Sequence, residues 1–199
     1  MVTPMRKILV AATHNKGKLA EFARMLAPKG IDVVSPEDPA LLKSIVEDGE
    51  TFAENALIKA RAVFAKTGLP TMADDSGLCI DALDGRPGVY SARYLGEDTP
   101  YTVKNAAIIK ALDGTPDEKR TARFECAVAL VTAQGAHVFH GTFEGKIGYR
   151  PSGENGFGYD PIFYVGEKSS SDMSDAEKDA VSHRGQALRA MLAEIEQLL

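Results

Sequence analysis

Ala73-Asp74-Asp75-Ser76-Gly77 stands between a short apolar run, Leu69 to Ala73, and a strand-like one, Leu78 to Leu83. Two adjacent carboxylates and a hydroxyl at the end of a strand would be held on rigid backbone at the rim of a sheet. Side by side, the carboxylates repel each other unless a cation or a shared proton neutralises them. One reading is an Asp-rich surface turn, with Gly77 supplying a positive φ. The other is a divalent-metal site in which one carboxylate also serves as a base. The flanking elements have to choose between them.

Toward the N-terminus, Lys7-Ile8-Leu9-Val10-Ala11-Ala12 reads as a buried strand, and Leu19, Phe22, Met25 and Leu26 line one face of a following helix. Thr13-His14-Asn15-Lys16-Gly17-Lys18 connects them. A polar loop entering a helix N-terminus offers free N–H groups and the positive end of the dipole, an anion site that two lysines strengthen. It is not a Walker A loop: Ala12 replaces the first Gly, and Leu19 stands where Ser or Thr would meet magnesium. A solvated basic turn is the plainer alternative. Ile31 to Val34 is a second strand stopped by Pro36, and the Pro-rich segment through Leu42 reads as loop. Thr51 and Glu54 form a capping box after Glu47-Asp48-Gly49, opening a helix with Ala53, Ala56, Leu57, Ala60, Val63 and Phe64 as its apolar stripe. Gly68 and Pro70 end it, and Asn55 and Lys59, four apart, share a face. Glu47 is placed to approach the Asp74–Asp75 stretch, or is simply an acidic residue favoured near a helix N-terminus.

Toward the C-terminus, Asp84-Gly85-Arg86-Pro87-Gly88 is a turn, and the aromatic-rich Val89 to Tyr94 suits an interface. Tyr101 to Leu112 is helical, with Val103, Ala106, Ala107 and Leu112 as candidate core. Ala122 to Thr132 and Ala136 to Phe143 form a hairpin through Ala133-Gln134-Gly135, with Lys146-Ile147-Gly148 continuing the meander. His137 and His140 fall on opposite faces of their strand, which argues against a shared metal. Pro151-Ser152-Gly153-Glu154-Asn155-Gly156-Phe157-Gly158-Tyr159-Asp160-Pro161 either presents Phe157 to a flat ring or is a plain connection into Ile162-Phe163-Tyr164. Ser174 and Glu177 form a second capping box on a short helix carrying Lys178. Ser182-His183-Arg184-Gly185 interrupts it before a terminal helix with Ala187, Leu188, Met191, Leu192, Ile195 and Leu199 on its apolar side.

Composition sets the outer limits. A chain of 199 residues, 44% hydrophobic, can bury one sizeable core, as a single domain or a two-lobed one. Its net charge of −5 argues against a nucleic-acid polymer or an anionic membrane as partner, while leaving room for a local basic pocket. No apolar run is long enough for a membrane span, and Met1 to Lys7 is too short and polar for a signal peptide. Cys79 and Cys126 sit in apolar runs and read as buried free thiols, in keeping with a cytoplasmic location.

Together the motifs supply phosphate donors, a carboxylate cluster, an aromatic loop and a basic pair. The chain closely resembles the non-canonical purine nucleoside triphosphate pyrophosphatases, the inosine triphosphatase-like family. The resemblance rests on Thr13-x-Asn15-x-x-Lys18, Glu47-x-Gly49-x-Thr51-Phe52-x-Glu54-Asn55-Ala56 and Ala73-Asp74-Asp75-Ser76-Gly77-Leu78. It continues through Pro87-Gly88-x-Tyr90-Ser91-Ala92-Arg93, Gly156-Phe157-Gly158-Tyr159-Asp160-Pro161 and Ser182-His183-Arg184-Gly185, in family order over nearly the whole chain. Two departures are His14, at a variable loop position, and Met1 to Met5, which extend beyond the usual start.

The resemblance implies an α/β fold: a long mixed sheet flanked by helices, one two-lobed domain over residues 1–199, a central nucleotide cleft and a homodimer. It implies hydrolysis of ITP, dITP and XTP to the monophosphate and pyrophosphate. Magnesium would be held by Glu47 and Asp75, with Asp74 near by, and Asp75 would be the catalytic base. Thr13, His14, Asn15, Lys16, Gly17, Lys18 and Lys178 would bind the triphosphate, as would Lys59, and Ser76 would touch substrate beside the metal. Phe157, Gly158, Tyr159 and Asp160, with His183 and Arg184, would enclose the base. Arg184 would donate to a 6-keto oxygen that adenine lacks. The rival expectations are a Maf-like pyrophosphatase of modified pyrimidine nucleotides and a nucleotide-binding module without catalysis.

Overall fold

The computed structural model describes residues 6–199. The Met1–Met5 extension therefore lies outside the described residues. In chain order the elements are β1 (Lys7–Ala11), α1 (Lys16–Leu26), β2 (Ile31–Val34), α2 (Pro39–Lys43), α3 (Phe52–Thr67), β3 (Thr71–Ile80) and β4 (Arg86–Pro87). There follow α4 (Tyr101–Ala111), β5 (Thr121–Thr132), β6 (Gly135–Ile147), β7 (Phe163–Val165), β8 (Lys168–Ser169), α5 (Asp175–Val181) and α6 (His183–Leu198). Among the described residues the strands order as β2-β1-β3-β5-β6-β7-β8, with β4 pairing β3. The sheet is mixed: β1 runs parallel to β2 and β3, whereas β4 is antiparallel to β3 and β7 to β6. This is the α/β architecture expected.

The chain divides into two compact units. The first comprises the chain up to Asp75, Cys126–His140 and Arg184–Leu199. Its strands bury alternate residues on opposite faces, as extended backbone requires. Leu9, Ala11, Met72, Cys126, Val128 and Leu130 pack against Phe22 and Leu26 of α1 and Leu188, Met191 and Ile195 of α6. Val10, Ala12, Ala73, Ala127, Ala129 and Val131 meet Ala56, Ala60 and Val63 of α3. The large α1 and α6 side chains each contribute roughly 1.5–3 kcal/mol by burial. The opposite face is lined with alanines, so α3 can lie close to the strands.

The second unit comprises Ser76–Glu125 and Gly141–His183. Leu78, Ile80, Phe124, Phe143, Ile147 and Phe163 surround Ile108 and Leu112. Arg120 is fully buried, and its guanidinium donates to the carbonyls of Ile147, Leu112 and Gly148 at 2.8–2.9 Å. Three well-placed acceptors make that burial tolerable.

Three local expectations change. The Asp74–Gly77 stretch is no turn: β3 runs unbroken through it, and Gly77 is absent from the positive-φ glycines. Pairing of Val10 with Thr71 and of Cys79 with Pro87 holds both ends of the strand extended, overriding the turn preferences of Asp, Ser and Gly. The segment before Leu42 is not all loop, because Asp38 caps α2 by accepting from Ala40 N at 2.8 Å, with Pro39 in the first turn. The buried side of α4 is Lys104, Asn105 and Ile108, while Val103 is half exposed. Lys104 Nζ reaches Ala92 O at 2.5 Å and Asn105 Nδ2 reaches Gly158 O at 3.2 Å, so polar residues go inward because carbonyls await them.

The expected helix break lies at Ser182, and His183 and Arg184 form the first turn of α6. Both cysteines are free and buried. Burial pushes the Cys126 thiol up to about 12, so it is a packing residue. No helix among the described residues is long and apolar enough to cross a membrane.

Candidate active site

The first unit gathers two ionic clusters from the side chains of consecutive residues. Because successive side chains in a strand point to opposite faces, Asp74 and Asp75 leave β3 on different sides. Asp74 lies on the side of Met72, under α1 and α6. Its Oδ2 meets Lys18 Nζ at 3.0 Å, Arg184 Nη2 at 3.0 Å and Arg184 Nε at 3.1 Å. Arg184 Nη1 reaches Glu21 Oε2 at 2.6 Å. Asp74, Arg184 and Glu21 are buried, and Lys18 closes the group from a half-buried position. Burial alone would raise the Asp74 carboxyl, but Lys18 and Arg184 outweigh it and hold the group far below the usual carboxylate range. The same carboxylates raise the Arg184 guanidinium against the pull of burial.

Asp75 faces α3. Lys59 Nζ lies 2.8 Å from Glu47 Oε2 and 3.7 Å from Asp75 Oδ1. Glu47 and Asp75 therefore converge on one point of positive charge, which answers the question their spacing in sequence left open. Burial is the main influence on Asp75 and raises its carboxyl despite Lys59, Lys18 and an Asn55 hydrogen bond. Burial lowers the Lys59 ammonium, but Asp75, Glu47 and Asp74 outweigh it and leave it raised.

Local structure places these groups. Thr51 accepts from Glu54 N at 3.2 Å while the Glu54 carboxylate accepts from Thr51 N at 3.0 Å, closing the expected capping box. Asn55 Oδ1 accepts from Gly49 N at 2.9 Å, and a Cβ on Gly49 would come within 2.8 Å of that oxygen. Gly49 is needed for close approach, and the approach fixes the segment carrying Glu47.

The Thr13–Lys18 loop is built as expected of a helix entry. Thr13 Oγ1 accepts from Asn15 N, and Asn15 Oδ1 caps α1 by accepting from Lys18 N, both at 3.1 Å. His14 Nδ1 lies 2.8 Å from Ser35 Oγ, which itself donates to Thr13 O at 2.8 Å. Since that hydroxyl has a single proton, the imidazole is the donor at Nδ1. Lys16 and Gly17 occupy the first helical positions.

In the second unit, Asp160 is the hub of the 156–160 loop. It accepts from Lys178 Nζ at 2.6 Å, Phe157 N at 2.8 Å and Ser170 Oγ at 2.9 Å. Lys178 Nζ also stands 5.0 Å from the Phe157 ring centroid. Gly156, at φ +77°, passes so close that a Cβ would strike the Asp160 carboxylate. Gly158, also at positive φ, adjoins the Tyr101 ring. Tyr159 belongs to the apolar core, with its hydroxyl donating to Ser91 O at 2.7 Å. His183 is buried with its ring stacked 4.8 Å from that of Phe124. Ser76 follows Asp75 in β3, half-buried.

Sequence reasoning overlooked Glu21, the partner of Arg184; its signal was the three-residue spacing from Lys18, which puts both on one face of α1. It also overlooked Ser35 and Ser170, hydroxyls far in sequence from the groups they hold.

The Ham1 family model matches residues 9–194. This chain belongs to the Ham1 family. It is 50% identical to a dITP/XTP pyrophosphatase of Nitratidesulfovibrio vulgaris, over 92% of this chain and 93% of that one. It is 49% identical to a dITP/XTP pyrophosphatase of Yersinia pestis, over 94% and 97% of the two chains. The solved HAM1 protein from Coxiella burnetii superposes with a TM-score of 0.86 at 40% identity, covering 96% of this chain and 99% of that one. The fold and the family inferred from the motifs are those of these relatives.

Proposed function

We propose that this chain hydrolyses non-canonical purine nucleoside triphosphates, ITP, dITP and XTP, to the monophosphate and pyrophosphate. The observation that carries the reading is the convergence of Glu47 and Asp75 on the Lys59 ammonium, in a member of a family whose relatives bear the name dITP/XTP pyrophosphatase.

The donor set suits magnesium. Among the described residues no three His, Cys, Asp or Glu side chains form a cluster, and Asp75 Oδ2 is a buried oxygen without a hydrogen-bond partner. One or two carboxylates plus substrate phosphates are what this cation takes, and it keeps several waters. Glu47 and Asp75 would hold it, and once bound it would offset triphosphate charge and polarise the reacting phosphoryl group.

The chain's own groups do the rest. The N-terminus of α1, Lys16 and Lys18 supply positive charge for the polyphosphate, which brings about four negative charges. Water attacks the α-phosphorus, the bond from that phosphorus to the bridging oxygen breaks, and pyrophosphate leaves. Asp75 accepts the water's proton; its raised carboxyl is a better base than an exposed one. Ser76 touches substrate beside it. In the second unit, Phe157 offers a ring face to the base, Asp160 and Lys178 fix that ring, and His183 lies on the same unit's core. Arg184, held by Glu21 and Asp74, would be the donor to a 6-keto oxygen.

The same reading makes residues 1–199 one two-lobed enzyme domain, working as a cytoplasmic homodimer. A panel of purine and modified pyrimidine triphosphates with magnesium, scored for pyrophosphate against orthophosphate, tests it. Pyrophosphate release from ITP, dITP and XTP well above that from ATP and GTP is the expected result. Preference for methylated pyrimidines, or orthophosphate as product, would reject it.

A further inference from the structure

Lys59 is the group whose position the proposed chemistry does not by itself explain. A lysine that served only the triphosphate would be expected to extend toward solvent. Here the ammonium is drawn back 2.8 Å from Glu47 and 3.7 Å from Asp75, with its side chain largely buried. Those are the two carboxylates that would hold the cation. We infer that Lys59 is a built-in counter-cation that neutralises Glu47 and Asp75 in the absence of nucleotide, so that a bare divalent ion is disfavoured and the ion enters together with the triphosphate. This rests on the reading of Glu47 and Asp75 as metal-holding residues.

The physical argument is one of competition. Two carboxylates around one ammonium retain a single net negative charge, whereas without the lysine they would present two. A dication arriving alone either sits beside a like charge or must first drive the ammonium off both partners, and either weakens its binding. A triphosphate changes the balance, since it offers the ammonium new anionic partners. The lysine stem has the torsional freedom to follow them. Metal and nucleotide then bind with positive coupling, and by reciprocity each tightens the other. The Asn55–Gly49 contact keeps Glu47 in place meanwhile, so Lys59 is the group free to exchange partners.

The experiment is a titration of nucleotide-free protein with Mn2+ alone, followed by electron paramagnetic resonance. Lys59→Met is expected to bind the ion at least tenfold more tightly than wild type, and Lys59→Arg within about threefold of it. Adding Glu47→Gln to Lys59→Met should abolish the gain. Equal or weaker binding by Lys59→Met, with binding still dependent on Glu47, overturns the role of Lys59 alone. Failure of wild type and variants to bind Mn2+ even with a non-hydrolysable ITP analogue overturns the metal reading and this inference with it.

Because Lys59→Met leaves two carboxylates facing each other, a second measurement uses the wild-type protein. The Lys59 ammonium resonance of 15N-labelled protein should stay in place under Mg2+ alone and move when Mg2+ and the analogue are added together. Movement under Mg2+ alone at the same concentration rejects the proposal.

Discussion

Asp74 and Asp75 are neighbours in the chain, yet their surroundings differ. Asp74 is held by Lys18 and by two nitrogens of Arg184, and its carboxyl is driven down. Asp75 has one loosely placed ammonium at 3.7 Å and a carboxyl driven up by burial, although each of the two acids keeps one buried oxygen without a hydrogen-bond partner. The alternation of strand side chains separates them, and the helices behind each face decide the rest. The lesson is that a pair of acids in sequence need not act as a pair. One is a fixed counter-ion that ties α1 and α6 to the sheet; the other is chemically available.

The largest effect should come from the available one. Asp75→Asn is expected to lower kcat by about 1000-fold or more, within the range for loss of a general base, with the melting temperature little changed. A variant retaining near wild-type turnover would remove Asp75 from that role. Asp74→Asn should do the reverse. It leaves Arg184 and Lys18 undercompensated and should cost about 3 kcal/mol of stability in urea denaturation at neutral pH, as for a broken buried ion pair. A loss of activity without a loss of stability would erase the distinction.

pH sharpens the same contrast. The Asp74 carboxyl is depressed in the folded state, so its stabilisation is present above the ordinary carboxylate range and fades as pH falls through and below that range. The stability gap between wild type and Asp74→Asn should therefore narrow in acid, as read by melting temperature against pH. A gap that is unchanged or widens there would contradict the assignment.

Smaller effects belong to the loops. Asp160→Asn should raise KM for ITP about tenfold, a change worth about 1.4 kcal/mol, with less effect on kcat, since Asp160 positions Phe157 and Lys178. A kcat effect larger than the KM effect would place Asp160 at the reaction itself. His14→Ala, which removes one hydrogen bond to Ser35, should change KM by about threefold, consistent with a net bond of under 1 kcal/mol.

Much of this was legible in the residues. The capping boxes at Thr51 and Ser174, the α1 and α6 stripes and the β5–β6 hairpin are local patterns, and local patterns survive folding. Of the two readings of the Asp74–Gly77 stretch, the turn fails: composition favours it, but the extended state is imposed by β1 and β4 from elsewhere in the chain. Lys104 and Asn105 point inward for partners at Ala92 and Gly158, which no hydropathy pattern records. In the candidate site, the residue types and the Glu47–Asp75 convergence could be anticipated. The assignment of Lys18 and Arg184 to Asp74 could not, because it depends on which side of a strand each acid leaves.

The contact between Asn55 and Gly49 has a mechanical consequence. It fastens the 47–50 segment to the first turn of α3, so that the stretch moves as an extension of the helix. Limited proteolysis should spare it relative to other surface loops, and the Gly49 amide should exchange its hydrogen slowly. Putting any larger residue at Gly49 would pry the acidic arm away from its hinge and leave the lysine behind.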